Sequence, residues 1–258
     1  MKLLFRFISF IALIALVGIV EIVLTAPFAS SQAADKFNDT QRQEIDKMIR
    51  SYIMENPQVI LDAVQRMQSQ AEEGKKDLAK KNLVSSRDKL LNDPNSPTSG
   101  NPKGDVTIVE FFDYRCGYCK RVVPALMKAV KDDGNVRVVY KELPILGPKS
   151  VVASRASLAV WKLAPEKYEA FHTALMANKG SFSELKIHSI ASNLKIDGNS
   201  VIKSMKSDSI EADLGENHAL AQSLGISGTP AFIIGNELVP GAIDLDTLKG
   251  LIKKARGS

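Results

Sequence analysis

The chain has 258 residues, of which 45% are hydrophobic and 24% are charged, a composition typical of a globular protein. Its net charge is +5, and the basic residues are scattered apart from a short tail at Lys253, Lys254 and Arg256. This distribution lacks the continuous basic surface of a nucleic-acid-binding protein, so we expect no nucleic-acid partner.

The amino terminus has the pattern of an export signal. Two basic residues precede an apolar run at 7–24, which only Glu21 interrupts, and the small residues 31–33 resemble a cleavage site. We therefore predict a signal peptide at 1–33, removed near Ala33. The alternative is an uncleaved membrane anchor, since the run is nearly long enough to span a bilayer.

Residues 34–92 are predicted to form a helical arm. Thr40 and Gln43 have the spacing of a capping box, and Pro57 is expected to begin a second helix. Apolar residues then recur with the spacing of a coiled coil: Ile60, Val64, Met67 and Ala71. We interpret the segment as an oligomerisation arm. The alternative is a helix that folds back on the main domain.

Residues 93–104 are rich in proline, glycine and small polar residues, which oppose both helix and strand. This composition predicts a linker and a domain boundary near residue 100. One domain is expected to follow at 105–258.

The remaining elements alternate between strand and helix. In chain order they are a strand at 106–114, a helix at 118–131, a strand at 136–140, helices over about 149–224, a hairpin at 231–239 and a last helix at 244–254. This order predicts an α/β domain with a long helical insertion.

Cys116 and Cys119 are the only cysteines of the chain, and two residues separate them. This spacing suits a reversible disulfide, because one thiol can attack what the other has bonded. It also suits half of a tetrahedral zinc site, which requires two further ligands. His172, His188 and His218 are distant in sequence and are expected to be packing or surface residues, so the redox interpretation is favoured.

The predicted elements give the two cysteines different roles. Cys116 lies where a strand ends and a helix begins, so backbone N–H groups and the helix dipole are expected to stabilise its thiolate. We predict that Cys116 attacks substrate and that Cys119, one turn later and more buried, resolves the mixed disulfide. Asp113 to Arg115 are expected to shape the rim of the site, and Gly117 and Tyr118 to tune the stability of the reduced form.

The strand leading into Cys-Gly-Tyr-Cys, the helical insertion and Gly228-Thr229-Pro230 before the hairpin resemble the DsbA-like branch of the thioredoxin superfamily. The resemblance covers residues 104–258. It implies a thioredoxin fold and a thiol-disulfide oxidoreductase without a cofactor. It further implies that Thr229 and Pro230 are joined by a cis peptide that faces the disulfide and leaves backbone groups free to bind an extended client.

Glu110 lies in the middle of an apolar strand, on the face of Phe112 and Tyr114 if the side chains alternate. A carboxylate there costs free energy unless it has a partner or a task. It resembles the buried acid that accepts the proton of the resolving thiol in this superfamily. Lys141, at the end of the next strand, is predicted to be its partner in a proton relay.

The amino-terminal helices and linker resemble those of ScsC-like proteins, a subgroup that includes outer-membrane-associated antigens. The subgroup implies a periplasmic dimer or trimer, some members being isomerases, and leaves outer-membrane association open. Gly117 after the first cysteine and Thr229 before the proline are similar to DsbC-type isomerases. We therefore expect an exported disulfide isomerase or reductase. The alternatives are a monomeric DsbA-type dithiol oxidase and a copper- or zinc-binding protein that uses the two thiolates.

Such an enzyme requires partners of two kinds. Its clients are expected to be unfolded or misoxidised exported proteins. A membrane protein must also set its redox state: a DsbD-type reductase for an isomerase, or a quinone-linked oxidase for an oxidant.

Overall fold

The structure, a computed structural model, describes residues 37–257, which fall into two compact units divided after Arg66. The predicted signal peptide at 1–33 lies outside the described residues. Within 37–257, none of the helices combines the length and the apolar character needed to span a membrane.

The first unit begins with helix α1 (Asp39–Glu55), and α2 (Gln58–Ser85) follows and continues into the second unit. The break between them confirms the expected effect of Pro57. The predicted capping box is wrong by two residues, because Asn38 is the N-cap and exchanges hydrogen bonds with Gln41. Asn38 and Gln41 have the same spacing as Thr40 and Gln43, so the pattern alone does not fix the first turn.

The last part of the predicted arm packs with the second unit. Helix α3 spans Arg87–Leu91, and Leu83 and Leu90 are buried against Val109 and Phe111 of the sheet. Leu83 and Leu90 therefore belong to the core of the second unit, although both precede the domain boundary predicted near residue 100.

The predicted linker at 93–104 contains a strand, β1 (Thr98–Gly100), so the expectation that it opposes strand is wrong. Tyr140 N–H donates to Pro97 O, and Asn101 N–H donates to Val136 O, both at 2.8 Å. Gly100 has φ +74°, and a side chain there would collide with Val136 O. Glycine is therefore required by the close approach of the two backbones.

Five strands form one sheet in the order β1-β3-β2-β4-β5, with β2 and β3 parallel and the other neighbours antiparallel. The remaining strands are β2 (Val106–Phe112), β3 (Val136–Glu142), β4 (Ala231–Ile234) and β5 (Glu237–Pro240). Helix α4 (Gly117–Asp133) connects β2 to β3. This arrangement is the α/β domain that the sequence predicted.

The helical insertion runs from α5 to α9 and confirms the prediction for 149–224, with a non-helical stretch at 178–183. Its helices are α5 (Pro148–Leu163), a 3₁₀ turn (Pro165–Lys167), α6 (Tyr168–Ala177), α7 (Glu184–Asn193), α8 (Gly198–Ser204) and α9 (Asp208–Ser223). The chain ends with α10 (Leu245–Arg256) after the β4–β5 hairpin.

The sheet separates two buried clusters because successive side chains of a strand point to opposite faces. Ile108 and Phe112 of β2 pack in the cluster that contains Cys116 and Cys119, and we call this side the cysteine face. The opposite face carries Val109, Phe111 and Val139, which pack in the other cluster.

Candidate active site

Cys116 is the N-cap residue of α4. Strand β2 ends at Phe112, and the Cys116 N–H donates to Asp113 O at 3.0 Å, which closes the turn between strand and helix. The Cys116 sulfur accepts a hydrogen bond from the Cys119 N–H at 3.5 Å. Both cysteines are free thiols. The predicted position of Cys116, at the junction of strand and helix, is confirmed.

This position suits Cys116 to nucleophilic attack. Unpaired N–H groups and the positive end of the helix dipole stabilise negative charge at a helix N-terminus. Cys116 lies at such a helix end, and 7% of the residue remains exposed to an approaching disulfide.

Cys119 lies one turn further along α4 and is fully buried. Burial raises the pKa of the Cys119 thiol, and the negative charges of Glu110 and Cys116 raise it further. Cys119 is therefore held as a thiol that cannot reach bulk substrate, and it must lose a proton before it can attack. The division into an attacking Cys116 and a resolving Cys119 stays a prediction.

The loop between α9 and β4 brings a second backbone segment to Cys116. The Thr229–Pro230 peptide is cis, as the resemblance implied. The Cys116 Sγ donates to Thr229 O at 3.2 Å. This contact places the Thr229 carbonyl beside Cys116, and the binding of an extended client by this loop stays a prediction.

Gly117 and Tyr118, the two residues between the cysteines, lie at the surface. A Cβ atom added at Gly117 would meet nothing within 4 Å. Tyr118 is 59% exposed, and the Arg121 guanidinium carbon lies 4.3 Å from the centre of its ring. Both residues can therefore touch a bound client.

Glu110 is fully buried on the cysteine face, and its carboxylate accepts no hydrogen bond from any described residue. Burial raises the pKa of Glu110 to about 8, so the group is neutral at pH 7. Its charge, when present, raises the pKa of Cys119. The two groups are thus electrostatically coupled, as proton exchange between them would require, and the relay role of Glu110 stays a prediction.

The predicted pairing of Lys141 with Glu110 is wrong. In the β2–β3 register, Glu110 lies opposite Tyr140 and Phe111 lies opposite Lys141, so Lys141 points to the opposite face. Its Nζ atom contacts Asp93 Oδ2 at 2.8 Å, and only 1% of the side chain is exposed. Alternation along the strand, combined with this register, could have excluded the pairing.

Sequence reasoning missed a buried polar cluster behind the turn. Asp113 and Tyr114 are fully buried rather than on the rim, where only Arg115 is exposed. The Tyr114 hydroxyl lies 2.9 Å from His172 Nδ1, although the two residues are 58 positions apart. The polar character of a strand end could have drawn attention to Asp113, but no local pattern links Tyr114 to His172.

The described residues do not complete a metal site around the two thiols. Between residues 37 and 257, no group of three or more His, Cys, Asp or Glu side chains has the geometry to hold a metal ion. Two sulfur atoms within one chain supply half of a tetrahedral site.

A helix-capping Cys-x-x-Cys pair beside a cis-proline loop, on a sheet of this order, defines a thioredoxin-fold thiol-disulfide oxidoreductase. The family model described as "DSBA-like thioredoxin domain" matches residues 107–253. A second model, "Copper resistance protein ScsC N-terminal domain", matches residues 41–73. The chain belongs to the DsbA-like thioredoxin family and carries an ScsC-type N-terminal domain.

Individual relatives agree with this assignment. A thioredoxin-like oxidoreductase from Silicibacter pomeroyi DSS-3 is 44% identical with a TM-score of 0.64, over 67% of this chain and 98% of that one. Proteus mirabilis ScsC in a transitional conformation is 33% identical with a TM-score of 0.63, over 86% of this chain and 99% of that one. Disulfide bond formation protein D of Bacillus subtilis is 26% identical over 168 residues, which is 61% of this chain and 76% of the relative.

Proposed function

We propose that this protein is an exported periplasmic enzyme that isomerises or reduces protein disulfides and works as an oligomer. The observation that carries the redox part of the proposal is the asymmetry of the two sulfur atoms. Cys116 caps α4 beside Thr229 O, whereas Cys119 is fully buried with a raised pKa. Cys116 is arranged to attack a client disulfide, and Cys119 would resolve the mixed disulfide.

In the proposed reaction, the Cys116 thiolate attacks a client disulfide. A bond forms between Cys116 and one client sulfur, the client S–S bond breaks, and the leaving thiolate takes a proton. If a second client thiol then attacks the mixed disulfide, the client exchanges one disulfide for another without net electron transfer. If Cys119 attacks Cys116 instead, the client leaves reduced and the enzyme retains the two-electron oxidised pair.

The arm supports the oligomeric part of the proposal. Large apolar side chains are exposed along α1 and the first turns of α2: Met48, Ile49, Tyr52, Ile60, Leu61 and Val64. Within each helix, side chains three or four positions apart, such as Ile49 with Tyr52 and Ile60 with Val64, share a face that suits association with further copies of the chain. An oligomer would hold several Cys116 thiolates around one client, which favours repeated exchange.

The cellular setting belongs to the same proposal. The signal sequence expected at 1–33 would deliver the enzyme to the periplasm, where its clients would be unfolded or misoxidised exported proteins. A DsbD-type membrane reductase would then return the pair to the dithiol form. Association with the outer membrane would place the enzyme near proteins that cross the periplasm.

A monomeric dithiol oxidase is the second candidate, because the Bacillus relative is named for disulfide bond formation. In that case the oxidised pair would accept two electrons from a reduced client, and a quinone-linked membrane oxidase would restore the disulfide.

A metal-binding role is the third candidate, because the arm matches the N-terminal domain of a copper resistance protein. Copper or zinc held by Cys116 and Cys119 would require ligands from a further copy of the chain. Stoichiometric metal bound to the reduced protein, lost in the Cys119→Ser variant, would favour this candidate.

Two parallel assays separate the first two candidates: refolding of a substrate with scrambled disulfides, and oxidation of a fully reduced substrate. We expect the wild type to be an oligomer by light scattering and to accelerate the refolding reaction. A variant with Ile60→Glu and Val64→Glu should become monomeric and lose refolding activity about tenfold or more. Gln65→Glu with Gln68→Glu adds the same charge to the same helix and should change neither property.

The proposal fails if the wild type is monomeric, or if the Ile60 and Val64 variant refolds scrambled substrate at the wild-type rate. Rapid oxidation of reduced substrate without refolding of scrambled substrate would establish the oxidase.

The roles of the two sulfurs are tested by trapping. A Cys119→Ser variant should accumulate mixed disulfides with client through Cys116, because the resolving thiol is absent. The matched Cys116→Ser variant should trap none, since its remaining thiol is buried. Equal trapping by both variants would contradict the assignment.

A further inference from the structure

Tyr114 lies in the turn between β2 and α4, two residues before Cys116, and is fully buried. Its hydroxyl oxygen lies 2.7 Å from Ser157 Oγ, 2.9 Å from His172 Nδ1 and 3.3 Å from Glu142 Oε1. These partners belong to α5, α6 and β3. We call the four side chains the Tyr114 network.

The rings of the network are held on several sides. Tyr114 makes edge-to-face contacts with Phe112 and His172, with ring centres 5.0 Å and 5.4 Å apart. His172 also packs on Tyr140 and Tyr168, at 4.6 Å and 5.7 Å. The Tyr114 hydroxyl is thus fixed within an aromatic cluster that joins the helical insertion to the sheet.

The network is closed to solvent and uncharged near pH 7. Burial raises the pKa of Glu142 to about 8 and lowers the pKa of His172 to about 3. A buried network without an ionised group is poorly suited to exchange protons with the cysteines. Its physical effect is to fix the position of Tyr114.

The residue next to Tyr114 holds the same turn from the other side. Asp113 Oδ1 accepts from the Arg115 N–H at 2.7 Å, and Oδ2 accepts from the Leu146 N–H at 2.9 Å. The Asp113 carbonyl accepts from the Cys116 N–H at 3.0 Å. A short turn held by hydrogen bonds therefore links Tyr114 to Cys116, so a shift of Tyr114 also moves Cys116.

We propose that the Tyr114 network is a positioning device for the redox pair. It holds the turn that carries Cys116, and thereby sets the equilibrium between the dithiol and the disulfide forms. Tyr114, Glu142, Ser157 and His172 act as positioning residues, since their hydrogen bonds are to one another and not to either sulfur.

The reduced form depends on this position more than the oxidised form does. In the dithiol form, the Cys116 thiol accepts from the Cys119 N–H at 3.5 Å and donates to Thr229 O at 3.2 Å, and both contacts weaken when the sulfur moves. In the disulfide, the covalent ring itself fixes the two sulfurs. A looser turn therefore destabilises the dithiol selectively and shifts the equilibrium toward the disulfide.

The test is Tyr114→Phe in the full chain, equilibrated in mixtures of reduced and oxidised glutathione. In this reaction, two glutathione thiols reduce the Cys116–Cys119 disulfide and form one glutathione disulfide. We expect the equilibrium constant to shift about fivefold toward the protein disulfide, the effect of one lost buried hydrogen bond.

Tyr140→Phe is the matched control. Tyr140 belongs to the same aromatic cluster, but its hydroxyl pairs with Ser99 Oγ at 3.0 Å, away from the turn. Tyr140→Phe should lower the free energy of unfolding, as Tyr114→Phe does. It should keep the wild-type equilibrium constant between the dithiol and disulfide forms. Ser157→Ala, which removes the partner at 2.7 Å, should shift the constant in the same direction as Tyr114→Phe.

An unchanged constant in folded Tyr114→Phe overturns the proposal, as does an equal shift in Tyr140→Phe. If Tyr114→Phe does not fold, Ser157→Ala decides: a shift toward the disulfide supports the proposal, and a wild-type constant overturns it.

Discussion

On the cysteine face of the sheet, Glu110 and Glu142 are fully buried without a cationic partner among the described residues, whereas on the opposite face Lys141 is buried against Asp93 at 2.8 Å. All three side chains come from the two central strands, β2 and β3. They differ in how each avoids the cost of a buried charge.

The carboxyl groups avoid the cost by keeping a proton, since burial raises the pKa of each to about 8. Burial lowers the pKa of Lys141, but the hydrogen bond and charge of Asp93 oppose this effect and favour the ammonium ion. Glu110 and Glu142 are therefore neutral near pH 7, whereas Lys141 and Asp93 form a charged pair.

The largest effect is expected from breaking the ion pair of the opposite face. Asp93→Ala leaves the Lys141 ammonium buried without its partner, and also removes the hydrogen bonds to Asn95 N and Ser96 Oγ. We expect a loss of about 3–5 kcal/mol in the free energy of unfolding, measured by urea denaturation at pH 7.

Asp105→Ala is the matched control for this variant. Asp105 also pairs with a cation, Arg256, but at the protein surface. A surface pair is well solvated and contributes little, so its loss should be small. Equal losses of unfolding free energy in the two variants would show that the burial of Lys141 does not make the loss of its partner more costly.

The neutral, protonated state of Glu110 is tested by Glu110→Gln. The pKa of Glu110 is raised from 4.5 to about 8, so between these pH values the native state keeps a proton that the unfolded chain releases. Wild-type stability should therefore decrease as pH rises through this range. The variant lacks this dependence, and its stability relative to wild type should rise by about 3 kcal/mol from pH 5 to pH 8.

Unfolding free energies of both proteins, measured at several pH values, provide the check. Subtracting the two curves removes the contribution of Glu142, whose pKa is raised over the same range. Parallel curves would mean that Glu110 ionises in the native protein at its ordinary pKa.

The smallest effect is expected from Tyr140→Phe. Its hydroxyl joins β3 to Ser99 of β1, in the segment predicted as a linker. Loss of this hydrogen bond should cost about 1 kcal/mol, measured by urea denaturation. The same loss in Ser99→Ala would identify the Ser99–Tyr140 contact as the cause, and no loss in either variant would mean that β1 adds nothing to stability through this bond.

The parts of the site that sequence reasoning predicted all have a local signature. Cys116 and Cys119 are separated by two residues at a strand–helix junction, and Thr229-Pro230 directly precedes an apolar strand. Alternation along β2 likewise placed Glu110 on the face of Phe112.

The missed features depend on contacts between distant parts of the chain. The partner of Lys141 follows from the β2–β3 register and from a segment 48 residues earlier, and Tyr114 meets Ser157 across 43 residues. Thr98 to Gly100 form a run too short to predict as a strand, and Gly100 disfavours one, but they pair with the edge of β3. Local propensity carries none of this information.

Gly117 and Tyr118 lie between the two cysteines but outside the packed interior. The space around Gly117 is open, and most of the Tyr118 side chain is exposed, so neither residue contributes to the packed interior. Substitutions at these two positions should leave folding nearly untouched while they alter what the cysteines meet. Natural variation could therefore change the chemistry of the enzyme at these two positions, one or two codons at a time, on an otherwise constant scaffold.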